Sequence, residues 1–473
     1  MIALVIILYA VYAFITAVVM FQIAGYEKES YPAEERDIER FYGEEESVDR
    51  VALIEGRLES KAARNNIRES AQETLDITNF KLNEGSAAEM FFASVVEAAD
   101  RGVKVRILFD GIFHSLRGEQ TDIVYAMAAH PNIQLKFYEP VDLLRPWTLN
   151  NRLHDKLVIA DDNLAMISGR NIGDRYFAPE GYDNATNDRD AVVYNTEDAS
   201  FGDSVIYEVK DYFEYVWNHE FSHDTSEDLS ERQLEEGEER LAEFREQLEF
   251  FHEEYAEFFR QELDWEGMSH PTRNVTFIHN PIERMNKDPW VWKDITALME
   301  SAEDYIFMQS PFIIPSDKVM EHLNTDNITA GQVDILTNSL AASPNETAWS
   351  GWYGHREEMA ASMADVYEYQ GPVDSIHGKS FLIDDRISII GSFNLDPRSV
   401  YLSTESMFVV DSEEVNEELR NYVEEMMQYE SLKVADDGSY VPNENVEEED
   451  VPTSKYLNMW FQSLITRFFE HML

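Results

Sequence analysis

Residues 153–162 read LHDKLVIADD, and residues 376–385 read IHGKSFLIDD. Each is a His-x-Lys followed by an apolar run and an Asp-Asp pair. A short Gly/Ser turn ending in asparagine comes next in both, SGRN at 168–171 and GSFN at 391–394. His154, Lys156, Asp161 and Asn171 recur as His377, Lys379, Asp384 and Asn394, each displaced by 223 positions. One such cluster would be a weak signal, because a lone histidine beside an apolar run is commonly structural. Two copies with matched internal spacing mean a duplicated unit.

The flanks support two α/β halves. LDITNFKL (75–82) reads as a strand, 87–101 as a helix ended by Gly102, and VKVRILFDG (103–111) as a second strand. That β–α–β order implies a parallel crossover. Residues 153–160 read as the strand carrying the first cluster, followed by a strand at 164–168. The second half repeats the order at 305–314, 333–337, 376–383 and 387–390. Between the halves, Leu241, Phe244, Leu248, Phe251, Tyr255 and Phe258 recur at helical spacing within a Glu-rich segment. They predict a long amphipathic helix bridging the lobes.

Side chains two apart on a strand share a face. His154 and Lys156 therefore point together, as do His377 and Lys379. Two lysines and the amides of Asn171 and Asn394 supply charge and donors for the oxygens of a phosphodiester. One histidine can attack phosphorus while the other protonates the leaving alcohol. A carboxylate on each ring would fix its tautomer. The candidates are Glu405, 28 residues after His377, and Asp190, 36 after His154, with a small insertion around 178–185 accounting for the difference. Each precedes an apolar run. Asp161 and Asp384 sit at the Asp-Asp turns beyond the site and read as structural. No cofactor or metal is expected. His219 and His223 are four apart, but no third ligand can be named beside them.

The chain has 473 residues, which suits two domains. Its 92 acidic against 38 basic side chains give a net charge of −54, spread along the whole length. That fits adaptation to high salt, where screening shortens to roughly 3 Å at 1 M. It also argues against a nucleic-acid partner, which calls for a basic footprint. Ile2 to Gly25 carry no charge. Twenty-four helical residues reach about 36 Å, enough to cross a hydrocarbon core of roughly 30 Å. An uncleaved N-terminal transmembrane anchor is expected. At the other end, Leu457, Trp460, Phe461, Leu464, Ile465, Phe468, Phe469 and Met472 form a helical stripe. It either docks on the protein or lies on a membrane.

His-x-Lys-x4-Asp followed by Gly-Ser-x-Asn resembles the phospholipase D superfamily. ILTNSLAAS (335–343), GRNIGDRYF (169–177) and GSFNLDPRS (391–399) further resemble its bacterial cardiolipin synthase branch, C-type members in particular. The first copy departs at Gly169, where the second has Ser392. The resemblance implies two phospholipase D-like α-β-α sandwich domains in one bilobal unit. It implies transfer of a phosphatidyl group through a phosphohistidine, with phosphatidylglycerol as acceptor. The donor would be a second phosphatidylglycerol or phosphatidylethanolamine. It further implies that His154 attacks and His377 is the acid, that Lys156, Asn171, Lys379, Asn394 and Ser392 bind the phosphate, and that the enzyme sits in the cytoplasmic membrane, with room for a partner protein. Hydrolysis to phosphatidic acid, a nucleic-acid phosphodiesterase and an inactive membrane scaffold stay open as alternatives. The expected layout is an anchor at 1–26, linker and helix at 27–60, a first domain at 61–223, the acidic connector at 224–266, a second domain at 267–430, and an acidic linker with an amphipathic helix at 431–473.

Overall fold

Short runs rich in Val, Ile, Leu and Phe form the strands, numbered here in chain order. The first half contributes β1 (Asp49–Ile54), β2 (Thr74–Asn79), β3 (Lys104–Asp110), β4 (Ile133–Tyr138), β5 (Leu157–Ala160), β6 (Leu164–Ser168), β7 (Ala185–Asn187), β8 (Asp190–Asn195) and β9 (Ser222–Asp224). The second contributes β10 (His270–Pro271), β11 (Asn274–His279), β12 (Tyr305–Gln309), β13 (Gln332–Asn338), β14 (Asp365–Tyr369), β15 (Asp374–Ile376), β16 (Ser380–Ile383), β17 (Ile387–Gly391), β18 (Ser406–Asp411) and β19 (Ser431–Lys433). The computed structural model describes residues 2–23, 37–196, 203–226, 229–256, 263–362, 364–371 and 374–473.

The first sheet runs β10-β1-β8-β6-β5-β2-β3-β4-β9 and the second β11-β18-β17-β16-β12-β13-β14-β19. Apart from β10, the two orders superpose strand for strand. In both, three central strands are parallel (β2, β3, β4 and β12, β13, β14) and the rest antiparallel. The duplication therefore extends from the motif to the whole topology, an α/β fold of two related lobes. Helices cover the outer face of each sheet over separate cores. A third core is drawn from both halves, where β6 and β8 pack against β17 and β18. The parallel pair β7–β15 ties the halves again.

Several expectations need correction. The stretch assigned to linker at 27–60 contains β1, buried between β10 and β8, and the start of the helix Arg57–Ser70. The first lobe thus begins near Asp49. The acidic helix Glu231–Glu254 does not bridge the lobes. Leu241, Phe244 and Phe251 sink into the first lobe's outer core, and Arg240 pairs with Glu89. Phe258 lies outside the described residues. The His-x-Lys residues precede their strands, because β5 starts at Leu157 and β16 at Ser380. The stretch expected at 305–314 leaves the ladder at Gln309, the end of β12.

The N-terminal apolar helix runs from Ile2 to Ile23, and its most apolar stretch, with a mean hydropathy of 2.7, stands unburied. Residues 24–36 lie outside the description. The C-terminal helix Thr453–Thr466 docks on the helix Glu346–Tyr353 through Met459 and Thr466. Its apolar stripe faces away.

Candidate active site

Strand β5 enters the first sheet beside the carboxyl end of β2, where Leu157 N–H donates to Thr78 Oγ1 at 3.0 Å. That places His154 at the edge where the parallel strands end. The second lobe does the same with β16 and β12, and puts His377 at the corresponding edge. Each lysine folds back on its own histidine. Lys156 Nζ donates to His154 O at 2.6 Å, and Lys379 Nζ donates to His377 O.

The halves exchange their acids. His154 Nδ1 is hydrogen-bonded to Glu405 Oε2 at 3.0 Å, and His377 Nδ1 donates to Asp188 Oδ2 at 2.6 Å. The second lobe orients the first lobe's histidine, and the reverse. Backbone contacts reinforce the exchange. His154 N–H donates to Thr404 Oγ1 at 2.9 Å, and His377 N–H to Asn187 O at 2.7 Å. Arg189 reaches across to Gln309 Oε1 at 2.8 Å and Ser380 Oγ at 2.5 Å. With Nδ1 engaged on both rings, Nε2 is the nitrogen left for a reacting group. Lys379 Nζ also lies 2.8 Å from His377 Nδ1. The carboxylate takes precedence there, since Nδ1 carrying a proton cannot accept from an ammonium.

Asp190 is not an orienting acid. It is buried beneath the site, held by Ser60, Ser168, Arg64 and Arg170. The strand registers explain the slip. Ser168 pairs with Asp190 and Gly391 with Met407, so Glu405 corresponds to Asp188, two residues before Asp190. A slide of two keeps the strand face and hence the pattern. Ser392 also needs correction. Its hydroxyl is fully buried and donates to Glu405 Oε2 at 2.5 Å, so it supports the acid and does not face a phosphate. Gly169, its counterpart, leaves room for Asp188, because an added Cβ would stand 2.2 Å from Asp188 Oδ1.

Asn171 and Asn394 are both buried at the site, and each side-chain oxygen has no partner among the described residues. The fold leaves that polar capacity unused. Asp161 and Asp384 lie at the far strand ends with φ of 51° and 53°. Their carboxylates accept backbone N–H groups of residues 72–74 and 303–305 respectively. His219 ends the helix Ile206–Asn218 and His223 sits on β9, so they share no helix face.

The electrostatics divide the two acids. Burial pushes Glu405 up to about 8, against the pull of Lys156 and of the Ser392 and Ser399 hydroxyls. Burial would raise Asp188 too, but Lys379, His377 and Arg170 outweigh it and hold it well below the usual carboxylate range. Burial, with Lys156 and Lys379, lowers His154 well below its usual value. Burial and Lys379 bring His377 down to about 3. Burial lowers Lys156 to about 8 and Lys379 to about 7. Lysines of both lobes act on histidines of both, so the groups share one site.

Sequence reasoning missed Asp188, and also Phe80 and Tyr176, whose rings meet His154 and His377 edge-on at 4.9 and 5.7 Å. It missed Lys287, fully buried without a hydrogen bond among the described residues and facing the charges of Asp155 and Glu405. Nothing in NKDPW signals a buried ammonium. Register against the duplicate strand was the signal available for Asp188.

The profile of the family described as cardiolipin synthase, PLD-like domain matches residues 66–217 and 295–427, more than half of the chain. The chain belongs to this family. Cardiolipin synthase C of Escherichia coli K12 is 26% identical over 420 residues, covering 76% of this chain and 81% of that protein. An uncharacterized protein of Helicobacter pylori 26695 is 26% identical over 393 residues, covering 76% of each. Among solved structures, phosphatidylserine synthase of Haemophilus influenzae Rd KW20 aligns with a TM-score of 0.61 at 13% identity, over 89% of this chain and 95% of that one. This last likeness concerns the fold alone.

Proposed function

We propose that the protein is a membrane-anchored phosphatidyltransferase that makes cardiolipin. The observation that carries this is the exchanged pair, two imidazoles with Nδ1 held by carboxylates from opposite lobes and two buried lysines beside them. Family membership and the likeness to cardiolipin synthase C support the substrate class. The apolar helix Ile2–Ile23 is long enough to cross a bilayer and supports the anchoring.

His154 Nε2 attacks phosphorus of a donor phospholipid, and the bond from phosphorus to the headgroup alcohol breaks. His377 gives that alcohol its proton. Phosphatidyl-His154 results. His377 then takes a proton from a hydroxyl of phosphatidylglycerol, whose oxygen attacks phosphorus and frees His154. The firmly ionised Asp188 is the better partner for a protonated ring, which supports His377 as the acid. An anionic phosphodiester raises the lysines and His377 toward their charged forms, and so arms the site when it binds. Lys156, Lys379, Asn171 and Asn394 hold its oxygens.

Lipid products distinguish the outcomes. Detergent-purified protein in molar salt receives phosphatidylglycerol, phosphatidylethanolamine or both, with His154→Ala as control. Cardiolipin from wild type only is expected, and the lipid requirement names the donor. Phosphatidic acid without cardiolipin in every mixture would replace the transferase by a hydrolase.

A further inference from the structure

Three apolar surfaces that are far apart in sequence meet along the N-terminal helix. The first is the helix itself. The second is the loop after β4, where Leu143 and Leu144 are 64% and 82% exposed. Tyr9 OH donates to Leu143 O at 2.9 Å and Tyr12 OH to Leu144 O at 2.8 Å, so this tip lies against the middle of the helix. The third is the C-terminal helix. It reaches the N-terminal helix through the turn that follows its end at Thr466: Phe14 meets Phe469 edge-on at 6.4 Å, and His471 Nε2 lies 3.3 Å from Val18 O.

The C-terminal helix is two-faced. Tyr456, Leu457, Trp460, Phe461, Leu464, Ile465 and Phe468 are all exposed, on roughly half of its circumference at 3.6 residues per turn. Met459 and Thr466, both buried, lie on the opposite half. Seven exposed large side chains on one side exceed what scattered surface apolars explain. Charge sets the region apart as well. Residues 453–473 contain one acidic side chain, Glu470, in a chain with 92.

These surfaces also lie beside the catalytic groups. Phe80 follows β2, and its ring meets both the exposed Phe113 after β3, at 4.8 Å, and His154, at 4.9 Å. The β3 and β4 loops touch, since a Cβ on Gly111 would stand 2.5 Å from Pro140. On the second lobe, Lys455 of the C-terminal helix donates to Ala341 O and Ser343 O, just past β13. Arg398, four residues after Asn394, donates to Asn150 O and Met472 O. The carboxyl ends of the parallel strands carry both the histidines and the apolar rim.

We propose that the Leu143–Leu144 tip and the outward face of the C-terminal helix are inserted in the same bilayer as the N-terminal helix, so that the active site opens at the lipid surface. This rests on the anchored reading above. The occupant follows from depth. The tip and the turn directly after the C-terminal helix contact the N-terminal helix at residues 9–18, within a 22-residue span about 33 Å long. A bilayer that surrounds the span also meets them. Tyr456 and Trp460 suit the headgroup level, where amphipathic aromatic side chains concentrate.

The chain has no cysteine, so single labels are unambiguous. Full-length Leu8→Cys, Leu144→Cys, Phe461→Cys and Glu246→Cys proteins carry one environment-sensitive fluorophore each in phosphatidylglycerol/phosphatidylcholine vesicles. Quenching is compared between nitroxides on lipid chains and aqueous iodide. Labels at 8, 144 and 461 are expected to be quenched severalfold better by the lipid nitroxides, and 246 by iodide. Lipid quenching at 8 with iodide quenching at 144 or 461 overturns this proposal and leaves the anchor standing. Shielding of 144 or 461 from both quenchers overturns it in favour of a protein cover, such as a second copy. Loss of lipid quenching at 8 overturns the anchor, and this proposal with it.

Discussion

His154 and His377 occupy equivalent places in a repeated topology, yet their supports differ. His377 leans on Asp188 at 2.6 Å, a carboxylate kept ionised by Lys379 and Arg170 despite its burial. His154 leans on Glu405 at 3.0 Å, which burial raises to about 8 and which shares its oxygen with Ser392. The residue after each histidine differs too. Asp155 is buried and accepts from Tyr212 OH at 2.7 Å, where the second lobe has Gly378. Duplication supplies two imidazoles, and divergence around them supplies a difference of the kind the proposed acid and nucleophile would require.

The largest effect is expected from the histidines. His154→Ala and His377→Ala should each lower kcat on natural lipid by about 10³-fold or more. Normal turnover in either variant would end the two-histidine account. Next come the acids. Asp188→Asn should cost about 10³-fold in kcat and Glu405→Gln about 10-fold less, in proportion to the charge each gives its ring. Equal losses would erase the asymmetry.

Asp190→Asn should separate structure from chemistry. It leaves Arg64 and Arg170 without their buried counter-charge, so stability falls by about 3 kcal/mol in denaturant titration. The fraction that remains folded should keep kcat within about threefold, far from the Asp188→Asn loss.

The smallest effect concerns pH. A carboxyl raised to about 8 in the folded protein binds a proton that the unfolded chain has already lost. Stability from this group is present below the unfolded carboxyl value and is lost as pH rises toward 8. Glu405→Gln should therefore flatten the fall in Tm between pH 6 and pH 9 relative to wild type. A steeper fall in the variant would contradict the raised value.

The duplicated fold was legible because a 223-residue displacement recurs at every motif position, and the same repeat picked out the histidines and lysines that the structure brings together in one candidate site. Strand β1 was not, since VALI is a short apolar run inside a charged stretch. Its burial comes from β10 and β8, far away in sequence. Asp188 lost to Asp190 because the two are spaced by two in sequence and so fit the same alternation, although Asp188 precedes β8, and only the register of β8 against β6 separates them. Which lobe's acid reaches which ring depends on how the lobes face each other, and no local pattern encodes that. The two-faced C-terminal helix was visible as a stripe, but its docking through Met459 required the helix Glu346–Tyr353 beside it.

The most direct test of the central claim uses a phosphatidyl ester of p-nitrophenol, a leaving group that needs no proton. Rapid mixing follows release of p-nitrophenolate in the first turnover. His377→Ala should release up to one equivalent per site and retain the phosphatidyl group on the protein at His154, while His154→Ala should release none. A burst from His154→Ala with silence from His377→Ala would reverse the roles and contradict the account.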